Sequence, residues 1–358
     1  MFNNHCRYPG HILPRWMCLI QAVLLVLLTG CATKIKVNML KPAQYHQASL
    51  TRTVAVLPFS GPNGSGFAAE IEGVLGGINI DDKPYFILVD RASIDKTLSE
   101  QKFSQSGLID PKTAVKIGQI IGAQGIYAGT ITLAKAKDSP YTERRSECAQ
   151  RQIKKDEKGN QSEGNCLRYR HYNVNCVKRL AQFAASPKLI EVSTGKILYS
   201  RNLAGSSNSA GCEDRTAVKG AEELLETAKN MALRDFRKDV APFYETREIA
   251  LLDSTDGMNS TEAREKLKRG IAFAGKGRMD SACEFWGEAS NLTPDAASLV
   301  YNLGVCAESR GDVEAAYILY RKAEKLKGKP EDNIILAITR TSEAVKNQAR
   351  LKEQMKNP

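Results

Sequence analysis

Histidine is scarce in this sequence, and the motifs that usually accompany catalysis are missing. Only four histidines occur among 358 residues, and His5 and His11 lie within the first 30. His46 and His171 stand in no catalytic motif, and there is no phosphate-binding glycine loop, G-x-S-x-G elbow or H-E-x-x-H metal motif. We therefore expect a non-enzymatic protein without a cofactor, with paired carboxylates acting without histidine as the open alternative.

Long apolar runs and low-complexity segments are also missing, with one exception at the N-terminus. The 27 glycines and 13 prolines are too few for a collagen-like or fibrous chain. The hydrophobic fraction of 42% is ordinary for a globular protein, and the length predicts about two domains. The net charge of +11 is compatible with nucleic acid, anionic lipid or another acidic polymer as a partner.

The exceptional apolar run extends from Trp16 to Leu28 and follows Arg7 and Arg15. It is too short for a permanent membrane span, and a basic flank before a short apolar core is typical of a secretory signal. Small residues at its end fit a narrow peptidase cleft. The run ends in Leu28, Thr29, Gly30 and Cys31. This ending resembles the lipobox of bacterial lipoproteins.

The lipobox resemblance implies that residues 1–30 are a signal peptide and that Cys31 becomes the lipidated first residue of the mature chain. The cysteine thiol is the group that can form a thioether to a diacylglycerol. Residue 32 is alanine rather than aspartate. By the family's sorting rule this implies anchoring in the outer membrane, facing the periplasm, and a nucleic-acid partner is not expected there.

Beyond the signal, the pattern predicts a tether at 31–50 and an α/β domain at 51–250. Short β-rich runs and amphipathic helices follow in the order βαβααβ and then ββα, which indicates a mixed sheet in two or three layers. Residues 135–180 interrupt this pattern with twelve lysines and arginines against six acidic residues. The polar run 156–165 within them is typical of an exposed loop.

Four stretches of the α/β domain resemble the CsgG family of curli assembly and transport lipoproteins. They are residues 54–59, 86–91, 122–130 and 189–198. The resemblance implies an assembly or scaffold component of a cell-envelope or secretion complex, and a homo-oligomer is possible. Two alternatives stay open: a ring-forming CsgG-type channel that exports a surface polypeptide, and an LpoB-like activator of a peptidoglycan synthase, because such activators share the fold.

A CsgG-type pore would need two membrane hairpins per subunit, with strands of about ten alternating apolar and polar residues. The first insertion site, residues 135–180, shows no sustained alternation, and the second, from Arg201 to Asp214, is too short. The sequence therefore favours an assembly component over a self-standing channel. We expect the basic segment to be a solvated loop, with contact to an anionic polymer as the alternative.

The C-terminal third contains an internal repeat. Gly270, Gly277, Ala282, Trp286 and Ala289 recur 34 residues later as Gly304, Gly311, Ala316, Tyr320 and Ala323. This period, with small residues and one aromatic, resembles the tetratricopeptide repeat. The resemblance implies two repeats at 258–327 and a capping helix at 330–356. The predicted fold is thus an α/β domain followed by an all-α repeat domain.

Tetratricopeptide repeats hold partner peptides in a groove lined by the first helix of each repeat. The candidate groove residues are Arg264, Leu267, Ile271, Tyr301, Asn302 and Val305. Ordinary packing is the alternative for the three aliphatic residues. Asn302 is the strongest polar candidate, because a side-chain amide can hold a peptide backbone. We therefore expect a protein partner from the cell envelope.

Six further cysteines remain in the mature chain, and an even number in an oxidising compartment predicts disulfides. They are Cys148, Cys166, Cys176, Cys212, Cys283 and Cys306. The first four allow three pairings, whereas Cys283 and Cys306 fall on adjacent predicted helices and either pair or stay buried thiols. No metal site is expected, because the C-x4-H-x4-C spacing around His171 matches no tight zinc motif.

Overall fold

The computed structural model describes residues 33–100 and 111–356 of the chain. Within these two ranges, no helix is both long enough and apolar enough to cross a membrane. The predicted signal peptide and lipobox lie outside the described residues.

The chain divides into two compact units. The first is called the helical unit and comprises residues 33–40 and 244–347 of the described chain. The second is called the α/β unit and comprises residues 41–243, without the undescribed segment 101–110, together with residues 348–356.

The strands and helices of the described chain are numbered separately, in chain order. The strands are β1 (Lys34–Lys41), β2 (Thr53–Val56), β3 (Asn79–Ile80), β4 (Lys83–Pro84), β5 (Ile87–Leu88), β6 (Gly125–Lys155), β7 (Gln161–Glu191), β8 (Ile197–Ser200), β9 (Leu203–Cys212) and β10 (Phe243–Ala250). The helices are α1 (His46–Leu50), α2 (Gly64–Gly76), α3 (Arg91–Glu100), α4 (Pro111–Ile121), α5 (Ala221–Val240), α6 (Thr261–Gly275), α7 (Met279–Leu292), α8 (Ala297–Ser309), α9 (Val313–Lys327) and α10 (Asp332–Met355).

A mixed sheet with strand order β5-β2-β6-β7-β8 forms the centre of the α/β unit. β2 runs parallel to β5 and β6, whereas β7 is antiparallel to β6 and β8. Val54 and Val56 pack in one apolar cluster with α2 and α5, while Ala55 packs in another with α3 and α4. Because successive strand residues point to opposite faces, helices cover both faces of the sheet. The predicted mixed α/β fold is confirmed, with three layers.

Two local features of the α/β unit follow from the chemistry of single residues. Asp90 precedes α3, and its carboxylate accepts a hydrogen bond from the backbone nitrogen of Ser93 at 3.1 Å, which caps the first turn. The Ser193–Gly195 turn joins β7 to β8, with Gly195 at a φ of +71°. Glycine reaches this left-handed region without steric cost, which explains why the turn ends on that residue.

The basic segment 135–180 departs most from the prediction. Instead of forming a solvated loop, it extends β6 and β7 into a hairpin with strands of 31 residues each. The ladder continues as far as the pair Lys155 and Gln161, so the loop is confined to residues 156–160. From Tyr141 and Cys176 to the tip, most side chains on both faces of the hairpin meet water, and Val174 is a buried exception. A strand without a continuous buried face carries no apolar alternation. The signal that identifies other strands is therefore missing here.

The second predicted insertion site, Arg201 to Asp214, is also a strand rather than a loop. It forms β9, which pairs with β7 from Leu203–Ala185 to Cys212–Cys176. A Cβ at Gly205 would collide with a backbone carbonyl oxygen of α5, so glycine permits that helix to pack closely on β9. This segment therefore broadens the base of the hairpin to three strands.

The tether predicted at 31–50 is wrong in its described part, which forms β1 and α1. Ile35, Val37 and Met39 alternate with polar residues and are buried in the apolar cluster of the helical unit. β1 pairs with β10, so residues 244–250 belong to the helical unit rather than to the α/β domain predicted to end at 250. The alternation Lys-Ile-Lys-Val-Asn-Met is a strand pattern that the polar neighbours concealed.

The helical unit consists mainly of two successive helix pairs, α6 with α7 and α8 with α9, followed by α10. Turns of three residues join the helices within each pair, which makes the pairs helical hairpins. Gly270 lies against the Trp286 ring in the first pair, and Gly304 lies against the Tyr320 ring in the second. The helical C-terminal region is thus confirmed, including a long helix close to the predicted cap. Assignment of the pairs to the tetratricopeptide family stays a prediction.

Candidate functional site

The predicted groove residues come together in the helical unit, but most of them are buried. Leu267, Tyr301, Asn302 and Val305 are each at most 1% exposed. Ile271 is half-buried, and of the six only Arg264 is exposed. The structure thus places the aliphatic members in ordinary packing, which the sequence allowed as their alternative. Partner binding by these residues stays a prediction.

Asn302 holds a peptide backbone that belongs to this chain. Its side-chain nitrogen donates a hydrogen bond to the carbonyl oxygen of Leu252 at 2.8 Å, and its side-chain oxygen accepts one from the Leu252 backbone nitrogen at 3.1 Å. One residue before Asn302, the Tyr301 hydroxyl donates to the carbonyl oxygen of Ala250 at 3.0 Å. Two adjacent side chains of α8 therefore bind the backbone of residues 250–252.

The other end of the same segment is held by the first helix of the unit. Arg264 donates a hydrogen bond from Nε to the carbonyl oxygen of Met258 at 2.9 Å. Between the two ends, the Lys327 ammonium lies 3.4 Å from a carboxylate oxygen of Asp256. We call residues 250–258 the inner segment. It lies where the sequence predicted a partner peptide.

A buried ion pair stabilises the helices beside this site. The carboxylate of Glu308 is completely buried and accepts hydrogen bonds from Nε and Nη2 of Arg340, at 2.6 and 2.8 Å, and from the Tyr320 hydroxyl at 2.6 Å. Burial alone would lower the pKa of Arg340, but the bonds and charge of Glu308 raise it overall. Burial, together with the negative charge of Glu308, raises the pKa of Tyr320. Arg340 therefore stays charged and Tyr320 neutral at any physiological pH.

The hairpin formed by β6 and β7 is a second candidate surface, and one that sequence reasoning missed. β9 ends opposite Cys176, whose partner in β6 is Tyr141. Beyond this point residues 142–155 and 161–175 continue as a two-stranded ribbon, which we call the distal ribbon. At about 3.3 Å per residue it extends for about 45 Å. Tyrosines and valines in 167–177 were the available signal, because these residues favour strands.

The distal ribbon combines exposed apolar side chains with exposed cations. Ile153, Leu167 and Tyr169 are each at least 60% exposed. Arg144, Lys154, Lys155 and Arg168 are also exposed, as is Lys158 in the loop that joins the two strands. Exposed apolar groups and positive charges thus occur on the same two strands. The ribbon is therefore suited to interaction with another molecule.

The structure joins the six candidate cysteines in three disulfides. Cys148 bonds to Cys166 across the distal ribbon, and Cys176 bonds to Cys212 between β7 and β9. Cys283 bonds to Cys306 and so connects α7 to α8. Glu143 lies beside the second disulfide, within 4.8 Å of both sulfurs. Because those sulfurs are bonded to each other, they are not thiolate ligands for a metal ion.

The disulfide of the distal ribbon yields a testable prediction. Replacing Cys148 and Cys166 together by serine is expected to increase local opening of residues 149–165, because an isolated two-stranded ribbon is only marginally stable. A disulfide closing a loop of this length contributes about 3 kcal/mol. Backbone hydrogen exchange and tryptic cleavage after Arg151 and Lys154 would measure the opening.

The matched control for the ribbon disulfide is the double serine variant of Cys283 and Cys306. Its bond lies in the helical unit, so exchange in residues 149–165 should stay at the wild-type rate. Equal protection of the ribbon in both variants would contradict a stapling role for the Cys148–Cys166 bond.

A third site lies in the α/β unit, where the last turn of α10 is bound. Arg52 is 7% exposed, and its guanidinium lies 3.6 Å from the centre of the Tyr85 ring. It donates to the carbonyl oxygens of Tyr85 and Gln354, and the Tyr85 hydroxyl also donates to Gln354 at 3.2 Å. Burial lowers the pKa of Arg52 and raises that of Tyr85. These groups cap the carbonyl end of the helix, beside a cavity of about 160 Å³.

The middle of the α/β unit matches the model of a known protein family. Residues 79–137 match the family model described as "Curli production assembly/transport component CsgG". The match begins at β3 and ends within β6, and it includes two of the four stretches on which the resemblance was inferred. The resemblance to the CsgG family is therefore confirmed for this segment. No curated protein matches the chain significantly.

Several solved structures match the chain at low sequence identity. The LpoB C-terminal domain from Salmonella enterica is 13% identical, with 43% of this chain and 82% of that chain covered and a TM-score of 0.24. Lipoprotein GNA1162 from Neisseria meningitidis is 14% identical, covering 49% and 91%, with a TM-score of 0.25. The PelC dodecamer from Paraburkholderia phytofirmans is 13% identical, covering 58% and 99%, with a TM-score of 0.22.

Proposed function

We propose that this chain is a non-enzymatic lipoprotein of the cell envelope that acts as an assembly component of a CsgG-type complex. In this proposal it is anchored in the outer membrane through Cys31 and faces the periplasm. Copies associate through the distal ribbon, and the helical unit recruits a protein partner. The observation that carries the proposal is the ribbon itself, attached to a unit whose central segment matches the CsgG family.

The backbone of the distal ribbon supports association between copies. Within the described residues, the outer edges of 142–155 and 161–175 pair with no other strand. Unpaired edges present rows of backbone donors and acceptors, and these readily pair with a strand of another chain. A ribbon of about 45 Å offers two such edges per copy. Pairing between copies would satisfy both.

The short distance in sequence between Cys31 and β1 supports anchoring close to the helical unit. Only Ala32 and Thr33 separate the cysteine from the first residue of β1. Two residues span at most about 7 Å, so a lipid on Cys31 would hold this unit near the bilayer. Several acyl chains are needed for firm anchoring, and a fully acylated lipoprotein carries them.

An export channel is the second candidate. The sequence predicted a loop at the first insertion site, but this site forms a hairpin, and a hairpin there favours a channel more than a loop would. Membrane strands nevertheless need an apolar residue at every second position for about ten residues. Arg144, Ser146 and Arg151 interrupt such a face on β6, and Arg168 and Arg170 interrupt it on β7. Association without a membrane pore therefore fits the ribbon better.

The first experiment is the native mass of the acylated mature protein in mild detergent. We expect an oligomer of several copies for the wild type. A variant in which Asn-Gly joins Tyr141 directly to Cys176 should be monomeric, because a two-residue turn closes the shortened hairpin without the ribbon. Its thermal unfolding should match the wild type. A monomeric wild type, or an unchanged oligomer after deletion, would overturn association through the ribbon.

The matched control for anchoring is the single variant Cys31→Ser. It should leave the membrane fraction and fail to incorporate labelled palmitate, while a Cys283→Ser/Cys306→Ser variant remains membrane-bound. Equal incorporation of labelled palmitate by the wild type and by Cys31→Ser would exclude lipidation at this residue. The number of copies in the oligomer should be the same for Cys31→Ser as for the wild type, because the ribbon is intact.

A further inference from the structure

The inner segment, residues 250–258, is held in the helical unit by contacts that bind a backbone rather than particular side chains. Asn302 is completely buried and uses both of its amide atoms on the backbone of Leu252. Tyr301 and Arg264 likewise bond to carbonyl oxygens, those of Ala250 and Met258. The segment is irregular and ends in a turn, in which the Met258 backbone nitrogen donates to the carbonyl oxygen of Thr255 at 3.1 Å and Gly257 has a φ of +76°. Groups that bind only main-chain atoms accept peptides of different sequence, provided that the backbone fits between them. The site therefore has the chemistry of peptide recognition.

The side chains of the inner segment define which peptide would fit. Leu251 and Met258 are 2% and 1% exposed and belong to the apolar cluster of the helices. The residues between them include exposed Asp253 and Asp256. Asp256 faces the Lys327 ammonium. The pattern is thus an apolar anchor at each end, with acidic residues near a lysine between them.

Chain connectivity explains why this site would be closed to other peptides. The inner segment is continuous with β10 on one side and leads through residues 259–260 to α6 on the other. A ligand tethered so closely acts at an effective concentration on the order of millimolar. A free peptide of equal affinity at micromolar concentration would occupy the site in only about one molecule in a thousand. The site therefore becomes available only when the inner segment is released.

We propose that the inner segment is an intramolecular ligand of a peptide-binding site formed by Arg264, Tyr301 and Asn302. When the segment is released, the site accepts a peptide segment of a partner protein that can adopt the same turn, with apolar anchors at both ends and acidic residues between them. This inference rests on the proposed role of the helical unit in recruiting a partner. It adds the chemical class of the partner segment and a self-competition that controls access.

The test measures binding of a fluorescein-labelled peptide copying residues 248–260 to the full mature chain in mild detergent, by fluorescence anisotropy. The wild type should bind it no better than a scrambled peptide. In the variant Leu251→Ser/Met258→Ser, which removes both anchors of the inner segment, the affinity should increase about tenfold or more. A matched control, Ile318→Ser/Leu336→Ser, makes the same change at exposed positions of the same unit and should not bind.

Adding Asn302→Asp to the released variant tests the backbone contact. A carboxylate cannot donate to the carbonyl oxygen that the Asn302 amide nitrogen now contacts, so the affinity gained by release should be lost. Should Leu251→Ser/Met258→Ser lack a cooperative unfolding transition, the variant Leu252→Pro/Asp256→Lys replaces it. That variant keeps both buried anchors, removes the N–H that donates to Asn302 and places a positive charge opposite Lys327.

Two results would overturn the proposal. One is a folded, released variant that binds the peptide no better than the scrambled control, which would make the inner segment purely structural. The other is a wild type whose oligomer dissociates when the peptide is added, since a second copy of the chain would then be the occupant. Peptide binding does not require the distal ribbon. It can therefore be measured in the ribbon-deleted variant even if association through the ribbon fails.

Discussion

Replacing Arg340 by methionine is expected to lower the free energy of unfolding of the helical unit by about 3–5 kcal/mol. The substitution would leave the Glu308 carboxylate completely buried with only the Tyr320 hydroxyl as a partner. An uncompensated buried charge costs far more than a lost surface contact. Denaturant unfolding followed by circular dichroism would measure the loss, at neutral pH where Glu308 is paired in the wild type.

The matched control is Arg321→Met in the same unit. Arg321 pairs with Glu324 at 2.8 Å, but both side chains are at least 40% exposed. Exposed pairs contribute little, so the change should stay within about 0.5 kcal/mol. The double variant Arg340→Met/Glu308→Gln should recover part of the stability, because it removes the buried charge. Equal effects of Arg340→Met and Arg321→Met would contradict the importance assigned to burial.

Gly270→Ala is expected to destabilise the helical unit by about 1–3 kcal/mol, although alanine is the better helix former. A Cβ at this position would lie 2.6 Å from Cδ1 of Trp286 and closer still to Nε1. The indole cannot simply move away, because its N–H donates to the carbonyl oxygen of Leu267 at 3.2 Å and its ring is fully buried. Thermal unfolding would measure the decrease.

Gly287→Ala provides a control of opposite sign. Gly287 lies in α7, and nothing comes within 4 Å of an added Cβ there. The substitution should therefore stabilise the unit by about 0.5–1 kcal/mol through helix propensity alone. Gly304→Ala should resemble Gly270→Ala, because its Cβ would lie 2.6 Å from Cε1 of Tyr320. Stabilisation by all three substitutions would show that the two helix pairs do not depend on this close approach.

Most elements with a buried face could be predicted from the sequence, whereas the distal ribbon and β1 could not. α2 has regular apolar spacing because one side of it is buried, and β2 is a short apolar run because both of its faces are buried. The distal ribbon has no continuous buried face, since Val174 is its one buried apolar residue, so its strands resemble a charged loop in sequence. β1 has such a face, but its three apolar residues are few among polar neighbours.

The candidate site shows the same division. Small and aromatic residues recur at fixed positions, and this repeat spacing placed Asn302 in the predicted groove. The chemistry of its side-chain amide indicated that it could hold a peptide backbone. It did not indicate that residues 250–252 supply that backbone, about 50 positions earlier in the chain. Likewise, an even number of cysteines predicted disulfides, while three pairings stayed possible for the first four. Only the ladder between β7 and β9 brings Cys212 opposite Cys176.

Local chemistry in the chain thus determines the order of helices and strands, the helix cap at Asp90, the turn at Gly195 and the small-to-large contacts of the two helix pairs. These features depend on residues close in sequence or repeated at a regular period. Whether residues 135–180 form a loop or a ribbon, and which peptide fills the site at Asn302, depends on contacts between distant parts of the chain. Such contacts leave no periodic signal in the sequence. Each joins two residues that are far apart in the chain, and it does not recur at a regular spacing.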